Sequence, residues 1–294
     1  IKAVLQMYDV TKDEKYLKFA DNFIDYRVHE DGTIDGYNIG EKNIDNVNAG
    51  KTLFELYDLT GKEKYRKAID LVYSQIEIMP RCNNEARSFW HKEIYPNQVW
   101  LDGLYMGLPF YLEYETRYND RKNYSDIFGQ FKFVIENMRN PINGLYFHAM
   151  DTSREAFWCD KVTGLSQHSW LRAIGWYTMA LIDTLDQVDN KDHKYDAECK
   201  MLEDAFKDLV DSMLKYQDES GMWYQVVNYG GMDKNYLETS GSSIMAYALL
   251  KAVRLGHLSD DYAQYAKKAI DGICERYLKT KEDGSLSLGG ICLV

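Results

Sequence analysis

Two aspartates occupy equivalent places in two similar stretches of the sequence. Asp45 precedes Tyr57 by twelve positions, and Asp102 precedes Tyr114 by the same interval. If the two stretches fold alike, we expect both carboxylates to face one cavity at the same end of the fold. Two carboxylates in unlike surroundings are a common way to separate a general acid from a base. The alternative is that both are helix N-caps or first-turn acids without a chemical role, since a helix N-terminus favours negative charge.

A second group of candidate residues combines an arginine with aromatic rings. Trp170, Arg172 and Trp176 lie near the start of an apolar segment, with Arg172 and Trp176 one helical turn apart. A buried guanidinium must find an anion, because unpaired burial of a charge is prohibitive. That anion is either a protein carboxylate such as Asp45, which would make the arginine structural, or part of a ligand. His148 closes a loop segment and is either a capped loop residue or a polar ligand contact.

The segment that carries Asp102 has the pattern of a buried helix. Pro96 and Asn97 interrupt whatever precedes it, and from Leu101 onward apolar residues recur on nearly every side of a helical wheel. Such a helix is buried rather than amphipathic. Asp102 would lie in the first turn of this helix, beside Trp100. The indole ring would then border the carboxylate at the end of the hydrophobic core.

A degenerate repeat accounts for the positions of these residues. An apolar phrase followed by a charged turn and an amphipathic phrase recurs along the chain, with the repeat tyrosines at Tyr16, Tyr65, Tyr124, Tyr195 and Tyr262. Periods of this length are typical of stacked helical hairpins. We predict five hairpins, the first without its beginning, with apolar inner helices and outer helices over 15–28, 64–79, 195–216 and 262–278. Glycine-rich, β-prone segments over 29–34, 143–148, 220–225 and 283–286 would form loops on one rim.

This pattern predicts an all-α fold with short β segments confined to the rim. A closed α/α barrel fits better than an open solenoid, because the inner helices are apolar all round. No linker or change in composition divides the chain, so we expect one domain over residues 1–294.

Composition excludes several classes of function. The net charge of −11 argues against binding to nucleic acid or to anionic membrane surfaces. No apolar run is long enough to span a bilayer. Five widely spaced cysteines without a Cys-x-x-Cys pair favour a reducing compartment, and we therefore expect a cytoplasmic protein. Cys159, His168 and His193 lack metal-ligand spacing, and no glycine-rich phosphate loop is present, so we expect neither a metal nor a cofactor.

Three short motifs resemble those of a known enzyme family. They are Trp100-Leu-Asp-Gly-Leu-Tyr-Met106, the pair Arg172-x-x-x-Trp176, and Gly289-Gly-Ile-Cys292. Together they resemble glycoside hydrolase family 105, the unsaturated rhamnogalacturonyl hydrolases, which are related to the unsaturated glucuronyl hydrolases of family 88. The resemblance runs over nearly the whole chain and implies an (α/α)6 barrel. The five predicted hairpins leave the sixth unaccounted for, so we expect a chain truncated at both ends.

The resemblance also implies a reaction and a set of site residues. The substrate would be a small oligosaccharide from pectin lyase action, whose terminal uronate carries a C4=C5 double bond that is protonated and hydrated. Asp102 would be the general acid and then the base for water, and Asp45 the second acidic residue at the reacting ring. The positions that would line the substrate are Trp100, His148, Trp170, Arg172, Trp176 and Lys92.

Two other classes of function remain open on the sequence. An α/α-barrel sugar epimerase or isomerase would require paired histidines at the barrel mouth, and none of the six histidines matches another in the repeat. A non-catalytic carbohydrate-binding protein would keep the aromatic residues and would lose nothing when Asp102 is neutralised.

Overall fold

The computed structural model describes residues 1–292, which form five helical hairpins packed side by side. The last two residues of the predicted domain, Leu293 and Val294, lie outside the described residues. The helices of residues 1–292 are α1 (Lys2–Thr11), α2 (Glu14–Asp25), α3 (Ile44–Val47), α4 (Lys51–Thr60), α5 (Glu63–Ile78), α6 (Leu101–Tyr118), α7 (Tyr124–Asn137), α8 (Leu171–Gln187), α9 (Asp196–Leu214), α10 (Thr239–Leu255) and α11 (Ala263–Tyr277). The strands of the same residues are β1 (Gln98–Trp100), β2 (Ala149–Asp151), β3 (Leu278–Thr280) and β4 (Leu286–Leu288).

The hairpins form an inner and an outer layer of helices. The inner helix α8 packs between the inner helices α6 and α10, and most of its residues are buried. The outer helices α5, α9 and α11 bury one face and expose charged side chains on the other. The predicted order of apolar inner and amphipathic outer helices is therefore confirmed. No helix within residues 1–292 is both long enough and apolar enough to cross a membrane.

The predicted outer helices are present, with ends that differ by up to three residues. The largest difference is at the first, which ends at Asp25 rather than at residue 28. Val28 instead pairs with Ile34 in an isolated β-bridge around a turn at Gly32. Gly32 has a φ of 89°, and a β-carbon there would lie 2.4 Å from Cβ of Lys67, so both the backbone conformation and the packing require glycine.

A short antiparallel ladder sets the start of α6. Strand β1 runs directly into α6, and it pairs with β2 so that Trp100 lies opposite Ala149. The N–H of Leu101 donates a 3.0 Å hydrogen bond to the carbonyl of His148. The residue before β2 is thereby placed beside the first turn of α6.

A groove on α6 lets α3 approach closely. Gly103 and Gly107 lie one turn apart, and the side chain of Ile44 fills the space between the two helices. A β-carbon on Gly107 would lie 2.8 Å from Cδ1 of Ile44. Because Asp45 follows Ile44 and Asp102 precedes Gly103, this contact also brings the two predicted acidic residues to the same region.

Candidate active site

The predicted polar residues lie at the N-terminal ends of inner helices. Asp45, Asp102 and Arg172 each lie in the first turn of a helix, α3, α6 and α8 respectively. Neither aspartate is an N-cap, because the side chain of Asn43 caps α3 by accepting the N–H of Asp45, and the cap position of α6 is Trp100. First-turn carboxylates that are not needed as caps are free to take part in other interactions.

Asp45 is held by two cationic or protonatable side chains. Nζ of Lys92 lies 2.9 Å from Oδ2, and Nε2 of His91 lies 3.5 Å from Oδ1. Partial burial raises the pKa of Asp45, but the contacts with His91 and Lys92 lower it by more, so that the net pKa lies below its ordinary value. Asp45 is consequently a carboxylate over the neutral pH range.

His91 connects the surroundings of Asp45 to those of Asp102. Its buried imidazole stacks on the indole of Trp100, with ring centroids 4.5 Å apart and an interplanar angle of 5°. It also lies over Gly103, where a β-carbon would come within 3.1 Å of Nδ1. His91 therefore connects the two aspartates by stacking on Trp100 and packing over Gly103, the residues on either side of Leu101 and Asp102, and not by a hydrogen bond to Asp102.

Asp102 has fewer charged or protonatable neighbours than Asp45, within residues 1–292. Nε2 of His148 lies 3.2 Å from Oδ2 of Asp102, which is close enough for an ion pair when the imidazole is protonated, but no hydrogen bond joins the two atoms. Oδ2 is buried and accepts no hydrogen bond from any of residues 1–292. A buried carboxyl oxygen without a protein donor is suited to hold or release a proton toward a ligand.

The three predicted residues around the start of α8 lie at different depths. Trp170 is 36% exposed and its ring centroid is 6.4 Å from that of His148. Nη1 of Arg172 donates a 3.1 Å hydrogen bond to the carbonyl of Cys292. Trp176, one turn further in, stacks on Tyr105 at 4.9 Å. The partner of Arg172 is therefore a backbone carbonyl of the 289–292 motif, and no carboxylate of residues 1–292 forms an ion pair with it.

A cavity of about 420 Å³ opens beside His148, which lies 3.2 Å from Asp102. Of the predicted site residues, Asp45, Asp102, Lys92, Arg172 and Trp176 do not line this cavity. Trp100, His148 and Trp170 form one part of its wall. Another part comes from the segment between β2 and α8, through Phe157 and Trp158 among others. The site is thus an aromatic-walled cavity with a carboxylate beside it, a composition suited to a sugar.

The sequence analysis did not identify His91, Phe157 or Trp158 as site residues. His91 directly precedes the predicted Lys92, and this adjacency was the only local signal. Phe157 and Trp158 form an aromatic pair within an otherwise polar segment, which is a detectable pattern but not a specific one. All three residues are brought to the site by the packing of segments that lie far apart in the sequence.

Comparisons of the sequence and of the structure with known proteins identify relatives of this chain. The model of Glycosyl Hydrolase Family 88 matches residues 1–294. A solved family 105 glycoside hydrolase of C. acetobutylicum is 44% identical, with a TM-score of 0.93 over 100% of this chain and 80% of that one. The unsaturated rhamnogalacturonyl hydrolase YesR of Bacillus subtilis is 25% identical over 97% of this chain and 75% of its own length. Protein Atu3128 of Agrobacterium fabrum is 36% identical over 63% of this chain and 79% of its own length.

Proposed function

Because the chain belongs to the glycosyl hydrolase family 88/105 group, whose α/α-barrel fold it shares, we propose that it cleaves unsaturated uronyl disaccharides left by pectin lyases. Membership of this family supports the assignment of the chain as a glycosidase that acts on unsaturated uronyl sugars. The name of the relative YesR favours rhamnogalacturonan as the source of the substrate. We also propose a cytoplasmic site of action, which is favoured by Cys82, Cys159, Cys199 and Cys274 forming no disulfide.

The proposed reaction begins at the double bond rather than at the anomeric carbon. Asp102 gives its proton to C4, and the positive charge that develops at C5 is stabilised by the ring oxygen. Water adds to C5 and returns a proton to the Asp102 carboxylate. The hemiketal then opens by breaking the bond between C5 and the ring oxygen, and the hemiacetal left at C1 releases the neighbouring sugar. One water is consumed, and no oxidant or metal is required.

The observation that carries this proposal is the contrast between the two aspartates. Oδ2 of Asp102 is buried, accepts no hydrogen bond from residues 1–292 and has one protonatable neighbour there, His148, whereas Asp45 lies next to both Lys92 and His91. A group that exchanges a proton with carbon must be free to approach the ligand. A group that stabilises positive charge at C5 must remain ionised, and the lowered pKa of Asp45 suits that role.

Cationic side chains near the cavity could hold the uronate carboxylate. A guanidinium has five N–H donors, and within residues 1–292 the hydrogen bond from Arg172 to Cys292 uses one of them. We propose that Arg172, with His148, Lys92 and the rings of Trp100, Trp170 and Trp176, binds the unsaturated ring. A charge-assisted hydrogen bond of this kind is worth about 1.5–3 kcal/mol.

The decisive experiment compares Asp102→Asn with the native chain on lyase-generated pectin disaccharides. Asparagine keeps the shape of the side chain but cannot donate a proton to C4. We expect the ultraviolet absorbance of the conjugated double bond to persist, with turnover reduced by about a hundred- to ten-thousand-fold while the disaccharide still binds.

Asp196→Asn provides a matched control, because Asp196 is a first-turn acid of the outer helix α9. It should leave turnover unchanged. If Asp102→Asn turned over at the native rate, Asp102 would not be the proton donor and the proposed mechanism would be wrong. If the native chain bound the disaccharide but left its absorbance unchanged, a carbohydrate-binding role would take the place of the hydrolase.

A further inference from the structure

Two lysines of the inner helices are almost completely buried, and they have different partners. Lys51 of α4 is 7% exposed and Lys251 of α10 is 9% exposed. Nζ of Lys251 lies 2.8 Å from a carboxylate oxygen of Asp183 and 2.8 Å from one of Asp186. No carboxylate of residues 1–292 forms an ion pair with Lys51. Because a buried charge without a partner is costly, Lys51 requires a partner of another kind.

Tyr105 of α6 is that partner through two of its groups. Nζ of Lys51 donates a hydrogen bond to the backbone carbonyl of Tyr105. The same nitrogen lies 3.4 Å from the centroid of the Tyr105 ring. A cation over the face of an aromatic ring is attracted by the ring quadrupole, most strongly where water is excluded. The ammonium group therefore fixes both the backbone and the ring of Tyr105.

The ring of Tyr105 connects Lys51 to the proposed substrate site. It stacks on the indole of Trp176, with centroids 4.9 Å apart and an interplanar angle of 21°. Trp176 lies one turn after Arg172 on α8, and both residues are assigned above to the unsaturated ring. Lys51, Tyr105 and Trp176 thus form a continuous series of contacts from α4 across α6 to α8.

The charge of Lys51 depends on its surroundings in the neutral pH range. Burial lowers the pKa of Lys51 to about 7. Charged groups act on it from each of the other inner helices, namely Lys2 of α1, Glu113 of α6, Asp183 of α8 and Lys251 of α10. The two acids oppose the effect of burial on the pKa, and the two lysines add to it. Burial raises the pKa of Tyr105 and of Tyr247, so both phenols stay neutral where Lys51 titrates.

From these contacts we propose that Lys51 is a positioning residue for substrate binding, whose ammonium group holds the ring of Tyr105 against Trp176. The inference rests on the proposed function and adds to it a residue that acts through two aromatic rings. When Lys51 loses its proton, the attraction to the ring is lost and only the hydrogen bond to the carbonyl remains. The indole of Trp176 is then held less firmly, and the affinity for the unsaturated ring falls as the pH rises through about 7.

A fluorescence titration tests the contact without any substrate. The emission of Trp176 is obtained as the difference between the native chain and Trp176→Phe. This difference should change with a midpoint at a pH of about 7, because the cation behind the stacked rings disappears there. In Lys51→Met the change should be absent. A midpoint that persists in Lys51→Met would assign the titration to another group and would overturn the inference.

The kinetic test measures KM for the unsaturated disaccharide as a function of pH. In the native chain KM should rise above pH 7 by about two- to thirty-fold, the range expected for loss of one cation–π contact. Lys51→Met should show the raised KM at every pH. The pH profile of kcat should be the same in both chains, since Asp102 is unchanged. A limb that belongs to Asp102 or His148 would remain in Lys51→Met.

Three further variants separate positioning from folding. Lys51→Arg stays charged and should keep KM low above pH 7. Tyr105→Leu retains the carbonyl but removes the ring, so it should raise KM as Lys51→Met does, and it replaces that variant if methionine prevents folding. Lys64→Met is the matched control, because Lys64 is 8% exposed but lies on the outer helix α5 against Asp25, and it should leave KM unchanged.

The outcomes distinguish this inference from the function on which it rests. If the native chain does not hydrolyse the disaccharide, the proposed function is wrong, and the fluorescence titration still decides whether Lys51 holds Trp176 through Tyr105. If the disaccharide is hydrolysed, three results would contradict the role of Lys51 alone. They are a native KM in Lys51→Met, a raised KM in folded Lys51→Arg, and an equal rise of KM in Lys64→Met.

Discussion

Asp45 and Asp102 have the same side chain but different neighbours, and the difference explains how one site could hold two roles. Lys92 and His91 keep Asp45 ionised, since their contacts outweigh the effect of burial on its pKa. Asp102 has His148 3.2 Å away but no hydrogen bond to the buried oxygen. Environment rather than residue type therefore separates the two carboxylates.

Lys92→Met should change the acid side of the pH–rate profile. Removal of the cation 2.9 Å from Oδ2 disfavours the carboxylate form and raises the pKa of Asp45 from its lowered value. If turnover requires ionised Asp45, kcat/KM should begin to fall at a higher pH, by up to about one pH unit for this partly exposed pair. Measurement of kcat/KM across the acid range gives the shift directly.

Lys42→Met is the matched control for that experiment. Lys42 pairs with Glu93 in the adjacent part of the chain and does not contact Asp45. An unchanged acid limb in both variants would contradict a need for ionised Asp45.

At the level of elements, the closeness of the two acidic residues depends on helix packing. Gly107→Ala would place a methyl group 2.8 Å from Cδ1 and 2.9 Å from Cγ1 of Ile44, so either this side chain or the whole of α3 must shift. We expect a loss of about 1–3 kcal/mol in the free energy of unfolding from overpacking. We expect α3 to move, because Ile44 is fully packed, and kcat to fall, because Asp45 follows Ile44 in that helix. Urea denaturation and kinetics on the disaccharide measure the two effects.

Gly129→Ala and Ile44→Val are informative companions. Gly129 lies within the outer helix α7 with open space around it, so alanine there should stabilise the protein by about 0.5–1 kcal/mol and leave kcat unchanged. Ile44→Val removes the clashing Cδ1 and should restore part of the activity of Gly107→Ala. If Ile44→Val failed to restore any activity, the contact would not be what positions Asp45.

A proline inside α6 leaves one backbone carbonyl of this helix without its usual partner, and a side chain of a second inner helix bonds to it. Pro109 has no N–H, so the carbonyl of Tyr105, four residues earlier, loses its helical partner. Nζ of Lys51, from the inner helix α4, donates to that carbonyl and lies 3.4 Å from the centroid of the Tyr105 ring. Burial lowers the pKa of Lys51 to about 7, although the charge of Asp183 opposes the shift. Tyr105 in turn stacks on Trp176 of the proposed substrate site.

A double-mutant cycle tests this connection. Lys51→Met should cost more stability in the native chain than in a Pro109→Ala background, where the new N–H satisfies the Tyr105 carbonyl. We expect a coupling of about 1–3 kcal/mol by urea denaturation. Since the folded pKa of Lys51 lies below the unfolded one, native stability should also rise with pH between about 7 and 10.5, a rise that Lys51→Met removes.

Lys64→Met is the control for the cycle, because Lys64 is similarly buried but lies on the outer helix α5 against Asp25. Its effect should add to that of Pro109→Ala. If Lys51→Met and Pro109→Ala were also additive, Lys51 would not compensate for the proline.

Across the whole molecule, repeats and periodicity were enough to predict the hairpins, since each helix is a local pattern. The equivalence of Asp45 and Asp102 also followed from the repeat, and the structure places both in first turns of inner helices. The contact of His148 with Asp102 could not be predicted, because it depends on the pairing of β1 with β2 across about fifty residues. The hydrogen bond from Lys51 to the carbonyl of Tyr105 could likewise not be predicted, because it joins two hairpins through a backbone carbonyl, a group that every residue possesses.

The net charge of −11 must affect the approach of an anionic substrate. Repulsion from the whole protein acts over a long range, whereas attraction from Lys92 and Arg172 acts within the site. Salt shortens the Debye length from about 30 Å at 10 mM to about 8 Å at 150 mM and screens partly buried pairs much less. The long-range repulsion should therefore weaken more than the local attraction.

We consequently expect kcat/KM for the unsaturated disaccharide to increase as salt is raised over that range. The increase should appear in the rate of association, because steering by net charge acts before contact. The methyl ester of the same disaccharide carries no charge, and its kcat/KM should remain constant, which controls for effects of salt on the fold. A decrease for the charged substrate would mean that the cations around Asp45 and Arg172, rather than the net charge, dominate the field at the mouth of the cavity.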